Sequence, residues 1–202
     1  MTVFRRFLAA LAAFGVLLVT IYVLHSWYFN VNVVFYSAIF DALLASAVVS
    51  VLLFTSRFFS VFTGFEKVQT MIILVLLGYV FAISVPTVLD RSLSFYIIEK
   101  LQQRGGAIAE QEMEAVFTQE YVKEHRLVDV RLTEQIESGT ITVEDGMVRL
   151  TPFGRQLAGF SRFFRLHFLP KQRLLRGEYT DELTDPFRDE TGRQSGYGEQ
   201  EQ

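Results

Sequence analysis

The sequence predicts an integral membrane protein with three transmembrane α-helices, then a small α+β domain and a disordered acidic tail. Three observations predict this class. Between residues 7 and 89 only five side chains are charged or histidine, whereas charge is dense from Asp90 onward. Helical and strand-like patterns then follow one another in short segments, as in an α+β domain. Residues 177–202 are rich in acids and poor in aliphatic side chains, which is typical of disorder.

The three helices correspond to stretches of low charge at about residues 7–24, 33–54 and 68–89. Each has close to the ~20 mostly apolar residues that a helix needs to cross a bilayer. The first stretch follows two arginines, as a signal peptide would, but its length and the lack of a small-residue cleavage site favour a retained helix. Pro86 lacks a backbone donor and is expected to kink or end the third helix.

Lysine and arginine counts predict the orientation. With the N-terminus inside, the cytoplasmic side carries Arg5, Arg6, Arg57 and Lys67, and the first outer loop carries no basic residue. The sequence therefore predicts a multi-pass membrane protein, and the expected membrane is the bacterial inner membrane. Its N-terminus is expected in the cytoplasm and its C-terminal domain outside.

Small side chains recur every four residues in two of these helices. Such ridges let helices approach closely in lipid. They either pack the chain's own three helices or dock onto the helices of a partner membrane protein, and the sequence leaves both open. The second helix contributes Ala38, Ala42, Ser46 and Ser50, and the third contributes Gly78 and Ala82.

Asp41 is the one ionisable residue deep within a predicted helix. A charged side chain at that depth costs at least about 2.5–3.5 kcal/mol, so it is expected to face protein or a polar cavity. It is either a proton or substrate site, or an acid bonded to Tyr36, Tyr79, Ser84 or a partner subunit. The chain has no cysteine, and its three histidines lack ligand spacing, so neither a metal site nor a cofactor is predicted.

After residue 89 the sequence predicts a series of short elements. Asp145-Gly146 is a strong hairpin signal, and proline is favoured in the first turn of a helix. The elements are a helix capped by Asp90 and stopped by Gly105-Gly106, a short strand at 107–109, helices at about 110–122 and 124–137, a hairpin around Asp145-Gly146 and a helix from Pro152.

Three segments, "YIIEKLQQRGGAI", "RLTEQIESGTI" and "DGMVRLTPFGRQLA", carry a resemblance to a known superfamily. Residues from about 91 to 160 resemble the winged helix-turn-helix superfamily, whereas the whole chain matches no named family. The resemblance implies DNA recognition through the third helix of the domain. However, residues 90–149 contain twelve acids against seven bases, the wrong sign for binding phosphates. DNA is therefore disfavoured, and a protein-docking module is expected.

The last predicted helix is amphipathic. Phenylalanines that include Phe160, Phe164 and Phe168 share one face, and Arg155, Arg162 and Arg165 share the other side. Residues 151–176 contain six bases and no acid. Such a helix suits a membrane surface with anionic headgroups. Alternatively, its phenylalanines pack into the domain core and its arginines are simply solvated.

The predicted domains are a transmembrane region at 1–89, a winged-helix-like domain at 90–176 and the tail at 177–202. No motif of nucleophilic, phosphate-binding or metal catalysis is present in the sequence. The preferred function is a non-catalytic accessory or scaffold subunit of a larger membrane protein, in envelope or lipid-linked biosynthesis. The alternatives are a membrane-tethered winged-helix transcription regulator and a small lipid- or ion-handling protein that uses Asp41.

Overall fold

The computed structural model describes residues 2–187 and forms two units, Met1–Glu134 and Gln135–Gln202. The first unit begins with three long helices, α1 (Thr2–Tyr28), α2 (Val34–Thr55) and α3 (Gly64–Ser84). All three are long and apolar enough to cross a membrane. The prediction of three long apolar helices in this part of the chain is confirmed.

Local chemistry fixes both ends of α3. At its start the Thr63 hydroxyl accepts a hydrogen bond from the Glu66 amide, and the Glu66 carboxylate accepts one from the Thr63 amide at 2.7 Å. At its other end the helix stops at Ser84, and α4 (Pro86–Arg91) begins after Val85, whose ψ of −80° breaks the regular path. The break predicted at Pro86 is confirmed.

The core of the bundle lies where α1, α2 and α3 meet. Phe14 and Leu18 of α1 pack with Val49 and Leu53 of α2 and with Leu74 of α3. Large apolar side chains on the outer faces remain exposed, as Val16 does at 71%. A bundle with a narrow packed seam and an apolar exterior is stable only where lipid covers that exterior.

Several short helices follow α4 in the first unit. α5 (Leu93–Gln103) is capped by Ser92, whose hydroxyl accepts from the Phe95 amide at 3.3 Å. The expected cap, Asp90, instead lies within α4, because that helix continues to Arg91. The remaining helices are α6 (Met113–Ala115), which follows a 3₁₀ turn at Glu110–Glu112, a π-helix at Val116–Tyr121, α7 (Val122–Glu124) and α8 (Leu127–Glu137), which runs into the second unit.

The strand expected at 107–109 does not form, because both described sheets are two-stranded hairpins and leave no partner for it. The first hairpin, β1 (Ile141–Glu144) and β2 (Met147–Leu150), turns at Asp145-Gly146 as predicted. Both turn residues have positive φ, 52° and 75°, the conformation of a two-residue hairpin turn. The winged-helix assignment stays a prediction.

α9 (Pro152–Phe168) follows the first hairpin, with Thr151 as its cap. A second hairpin then forms from β3 (Arg173–Leu175) and β4 (Glu178–Thr180). The predicted start of disorder at residue 177 is therefore wrong for this segment, because Arg176 and Gly177 form a turn with φ of 52° and 95°. The part of the predicted tail at 188–202 lies outside the described residues.

Candidate membrane-surface site and intramembrane pair

The small-residue ridges of α2 and α3 are buried within the chain's own bundle. Gly78 lies directly against α2, so close that an added Cβ would be 2.8 Å from the Ala42 Cβ. Ala38 and Ala82 are fully buried, and Ser46 and Ser50 are at most 9% exposed. Of the two roles left open by the sequence, packing inside the chain is the one the geometry supports. These residues are not available to a partner's helices.

Asp41 is held by a histidine. The His25 Nδ1 lies 2.7 Å from the Asp41 Oδ1, joining the end of α1 to the first half of α2. The Asp41 side chain is 1% exposed and that of His25 is 23% exposed. The second carboxyl oxygen of Asp41 is buried without a hydrogen-bond partner among the described residues. This pair is the main polar link between the first two helices.

The sequence pattern does not predict this pair. Tyr36 and Tyr79, the expected partners, are 47% and 49% exposed and make no hydrogen bond to Asp41 within the described residues. The helical hairpin could have predicted it, because His25 and Asp41 are each within about two helical turns of the same loop, residues 29–33. An α-helical hairpin brings such positions to the same height.

A second polar cluster joins α5 to the segment 116–124 in the first unit. The Lys100 ammonium, 6% exposed, donates to Glu124 at 2.5 Å and lies 2.8 Å from Glu120. Tyr96 donates to Glu124 at 2.8 Å, and Arg104 donates to Glu120 at 2.6 Å. Two glutamates one helical turn apart are typical of a solvated helix face, but here both pair with the buried lysine, although the Glu124 side chain is 46% exposed.

Hydrogen bonds from Lys100 lower the pKa of both Glu120 and Glu124 below the usual 4.5, with Arg104 and Tyr96 assisting respectively. The same bonds raise the pKa of Lys100 above 10.5. Burial, assisted by Glu124, raises the pKa of Tyr96. A lowered carboxyl pKa stabilises the fold above pH 4.5 and loses that effect as pH falls through the folded value. The raised lysine pKa stabilises it at every pH below 10.5.

We therefore expect the cluster to stabilise the chain undiminished from about pH 5 to 10 and to weaken on acidification. Replacing Lys100 with methionine should lower the thermal midpoint at neutral pH and should flatten its fall between about pH 5 and 3. Circular dichroism of the full chain in detergent measures both midpoints. Equal acid sensitivity in the two proteins would contradict the assignment.

Two arginines at α8, Arg126 just before the helix and Arg131 within it, are paired with carboxylates. Arg126 lies 2.8 Å from Asp129, and Arg131 lies 2.7 Å from Glu134, which also pairs with Arg91 at 2.6 Å.

Among the described residues, no other element covers the aromatic face of α9. Phe160, Phe164 and Phe168, with Phe153 and Leu157, recur at helical spacing and are 43–65% exposed. Their rings form a continuous strip, with centroids 6.1 Å apart between Phe160 and Phe164 and 5.2 Å apart between Phe164 and Phe168. The alternative that these rings pack into a domain core does not hold.

The start of α9 is fixed to the first hairpin. The Thr151 hydroxyl donates to the Gly139 carbonyl at 2.8 Å, and Gly154 is buried against the Thr140 carbonyl, where a Cβ would clash at 2.1 Å. Arg155 donates to the Leu150 carbonyl at 3.2 Å. The first turn of α9 is thus structural, and the free aromatic surface lies along the rest of the helix.

Residues 181–187 lie along the arginine side of α9. Arg162 is 3.6 Å from the Asp185 carboxylate, and the Arg165 guanidinium is 5.8 Å from the centre of the Phe187 ring. The Thr184 hydroxyl donates to the Lys171 carbonyl at 2.9 Å and fixes this segment. Between the segment and the helix lies a cavity of about 280 Å³, lined by Ala158, Ser161, Arg162, Arg165, Thr184, Asp185 and Phe187.

No protein family, characterised protein or solved structure matches this chain. In the His25–Asp41 pair and the Lys100 cluster, polar side chains bond to one another within the chain. α9 is different, because its aromatic face is exposed along most of the helix. It is the strongest candidate for a functional surface.

Proposed function

We propose that this chain is a non-catalytic membrane accessory subunit whose second unit binds an anionic membrane surface through α9. One observation carries the proposal: a helix with an exposed strip of aromatic rings and an arginine flank belongs to a chain with three helices long and apolar enough to span a membrane. An interfacial helix places its rings at the acyl boundary and keeps its cations among the headgroups and water.

The energetics favour this location. Fully burying one large apolar side chain is worth about 1.5–3 kcal/mol, and five such residues form the strip. Each is about half exposed, so entering the interface recovers part of that amount per residue. Tethering by the membrane helices keeps α9 at a high effective concentration near lipid, so weak intrinsic affinity suffices.

The proposal extends to a larger membrane protein as partner, in envelope or lipid-linked biosynthesis. Because the ridges of α2 and α3 are buried, such a partner would contact the outer faces of the bundle. In the proposed orientation the N-terminus is cytoplasmic and the second unit lies outside, as the basic residues indicate. Reaction of a cysteine at position 159 with a membrane-impermeant reagent in intact bacteria tests that orientation.

Site-specific fluorescence tests the lipid surface, and the absence of native cysteines makes each label unique. The full chain carrying Phe164→Cys is labelled with the dye NBD and placed in nanodiscs with anionic lipid. We expect blue-shifted emission, because the dye enters the interface, and quenching by nitroxide groups on the acyl chains. Replacing anionic by zwitterionic lipid should weaken both effects.

Gly159→Cys provides the matched control. This position has open space around it and lies about 140° around the helix from the centre of the aromatic strip. NBD at residue 159 is expected to emit as in water and to escape quenching. If labels at 164 and 159 behave alike, with emission typical of water, α9 is not an interfacial helix and the proposal is wrong.

A further inference from the structure

We propose that the cavity beside α9 binds the phosphodiester group of an anionic lipid headgroup. This inference rests on the proposed function, because it assigns a defined lipid site to the same helix. Its lining includes two guanidiniums and a serine hydroxyl, contributed by Arg162, Arg165 and Ser161. Arginine forks and hydroxyls are the groups that recognise phosphate oxygens.

The position of the cavity around α9 suits a headgroup. At 100° per residue, Ser161 and Arg165 lie about 60° and 100° from the centre of the aromatic strip, whereas Arg162 lies about 160° from it. When the strip faces the acyl chains, Ser161 and Arg165 therefore lie beside the helix, and Arg162 lies on its water side. Lipid phosphates occupy that level of the interface. Arg155 lies on the far side, about 180° from the strip, and does not line the cavity.

The arginines in the cavity are able to accept a ligand. Charge-assisted hydrogen bonds measure about 2.7–2.9 Å, whereas Arg162 and Asp185 are 3.6 Å apart. The Arg162 side chain is also 70% exposed. Asp185 therefore orients this guanidinium without saturating its donors. Thr184 supplies no donor to the ligand, since its hydroxyl bonds to the Lys171 carbonyl, but it holds the wall of the cavity in place.

The charge of the cavity selects the kind of phosphate. Two arginines and one aspartate line it, which leaves a net charge of one positive unit. A phosphodiester carries one negative charge and matches it, whereas a phosphomonoester carries about −1.5 to −2 at neutral pH and would place excess charge beside Asp185. The volume of about 280 Å³ suits a small group rather than a bulky solute. Phosphatidylglycerol is accordingly the probe of choice.

Protection of a cavity thiol tests the site in the full chain. Ala158→Cys introduces a thiol at a lining position that donates nothing to the ligand. In nanodiscs, phosphatidylglycerol should slow its reaction with the uncharged reagent N-ethylmaleimide several-fold relative to phosphatidylcholine alone. The neighbouring thiol of Gly159→Cys corrects for surface effects on thiol reactivity. Arg162→Gln and Arg165→Gln should each abolish the protection, whereas Arg155→Gln, which removes the same charge, should retain it.

The remaining outcomes distinguish a lipid headgroup from a soluble anion and from an effect of bulk charge. Protection by inorganic phosphate in phosphatidylcholine nanodiscs would assign the cavity to a soluble anion and overturn the lipid site. Equal protection in the Arg155 and Arg162 variants would reduce the effect to bulk charge and would also overturn it. If the label at residue 164 enters the interface but the thiol at residue 158 is not protected, only this inference is wrong. If the label at residue 164 does not enter the interface, the proposed function is wrong as well.

Discussion

Replacing Gly78 with alanine is expected to destabilise the membrane bundle by roughly 1–3 kcal/mol, the usual cost of overpacking a tight contact. The new Cβ would lie 2.8 Å from the Ala42 Cβ and 3.4 Å from the Phe14 ring. The Ala42 Cβ is fixed to the backbone, so the clash is relieved only if α2 and α3 separate. The fraction of full chain that stays monodisperse in detergent after heating measures the loss.

A second substitution at the same contact should restore stability. Ala42→Gly removes the atom that the new methyl group meets, so the double variant should regain much of the stability that Gly78→Ala loses. Gly15→Ala is the matched control, because an added Cβ there has no neighbour within 4 Å. We expect it to leave stability unchanged or slightly higher. If Gly78→Ala behaves like Gly15→Ala, the close approach of α2 and α3 is wrong.

A tight α2–α3 contact also bears on partners. Small-residue ridges serve equally well within one chain and between chains, so their pattern alone does not say which helix covers them. Here burial decides, because Ala38, Ala42 and Ala82 are each 3% exposed or less without any partner chain. The search for a partner protein should therefore begin on the outer faces of the bundle rather than at these residues.

Sequence predicted the elements whose cause is local. Three membrane helices follow from long apolar stretches, the break at Pro86 from its missing donor, and the first hairpin from Asp145-Gly146. The second hairpin turns at Arg176-Gly177, both with positive φ, but arginine is not among the residues that favour the first position of such a turn. This hairpin was therefore not predicted, and the average composition from residue 177 onward favoured disorder instead.

Contacts between elements could not be predicted from the sequence. Glu120 and Glu124 have the spacing of a solvated helix face, and only the approach of α5 gives them Lys100 as a partner. The aromatic strip of α9 followed from helical period, but period does not distinguish a core-facing from a lipid-facing helix. Likewise, no sequence pattern predicts that residues 181–187 contact Arg162 and Arg165.

Replacing His25 with leucine is expected to cost about 1–3 kcal/mol, the usual loss when a buried polar group is left without its hydrogen-bond partner. Asp41 would then hold two buried oxygens without a partner, since its Oδ2 already lacks one among the described residues. Asp41→Asn keeps a polar group of the same size and should lose only about 1 kcal/mol. Thermal loss of the monodisperse full chain measures both.

The double variant His25→Leu with Asp41→Leu separates support from ion handling. Removing both members leaves no unpaired polar atom, and replacing a buried pair by apolar side chains is often neutral or stabilising. We therefore expect it to be more stable than His25→Leu alone and to keep the label at residue 164 in the lipid interface. That result would make the pair a clamp between α1 and α2, with the function carried by α9. If the double variant is stable but the label at residue 164 leaves the lipid interface, the pair has a functional role instead. A His25→Leu chain as stable as the native one would likewise contradict the clamp and indicate a functional role.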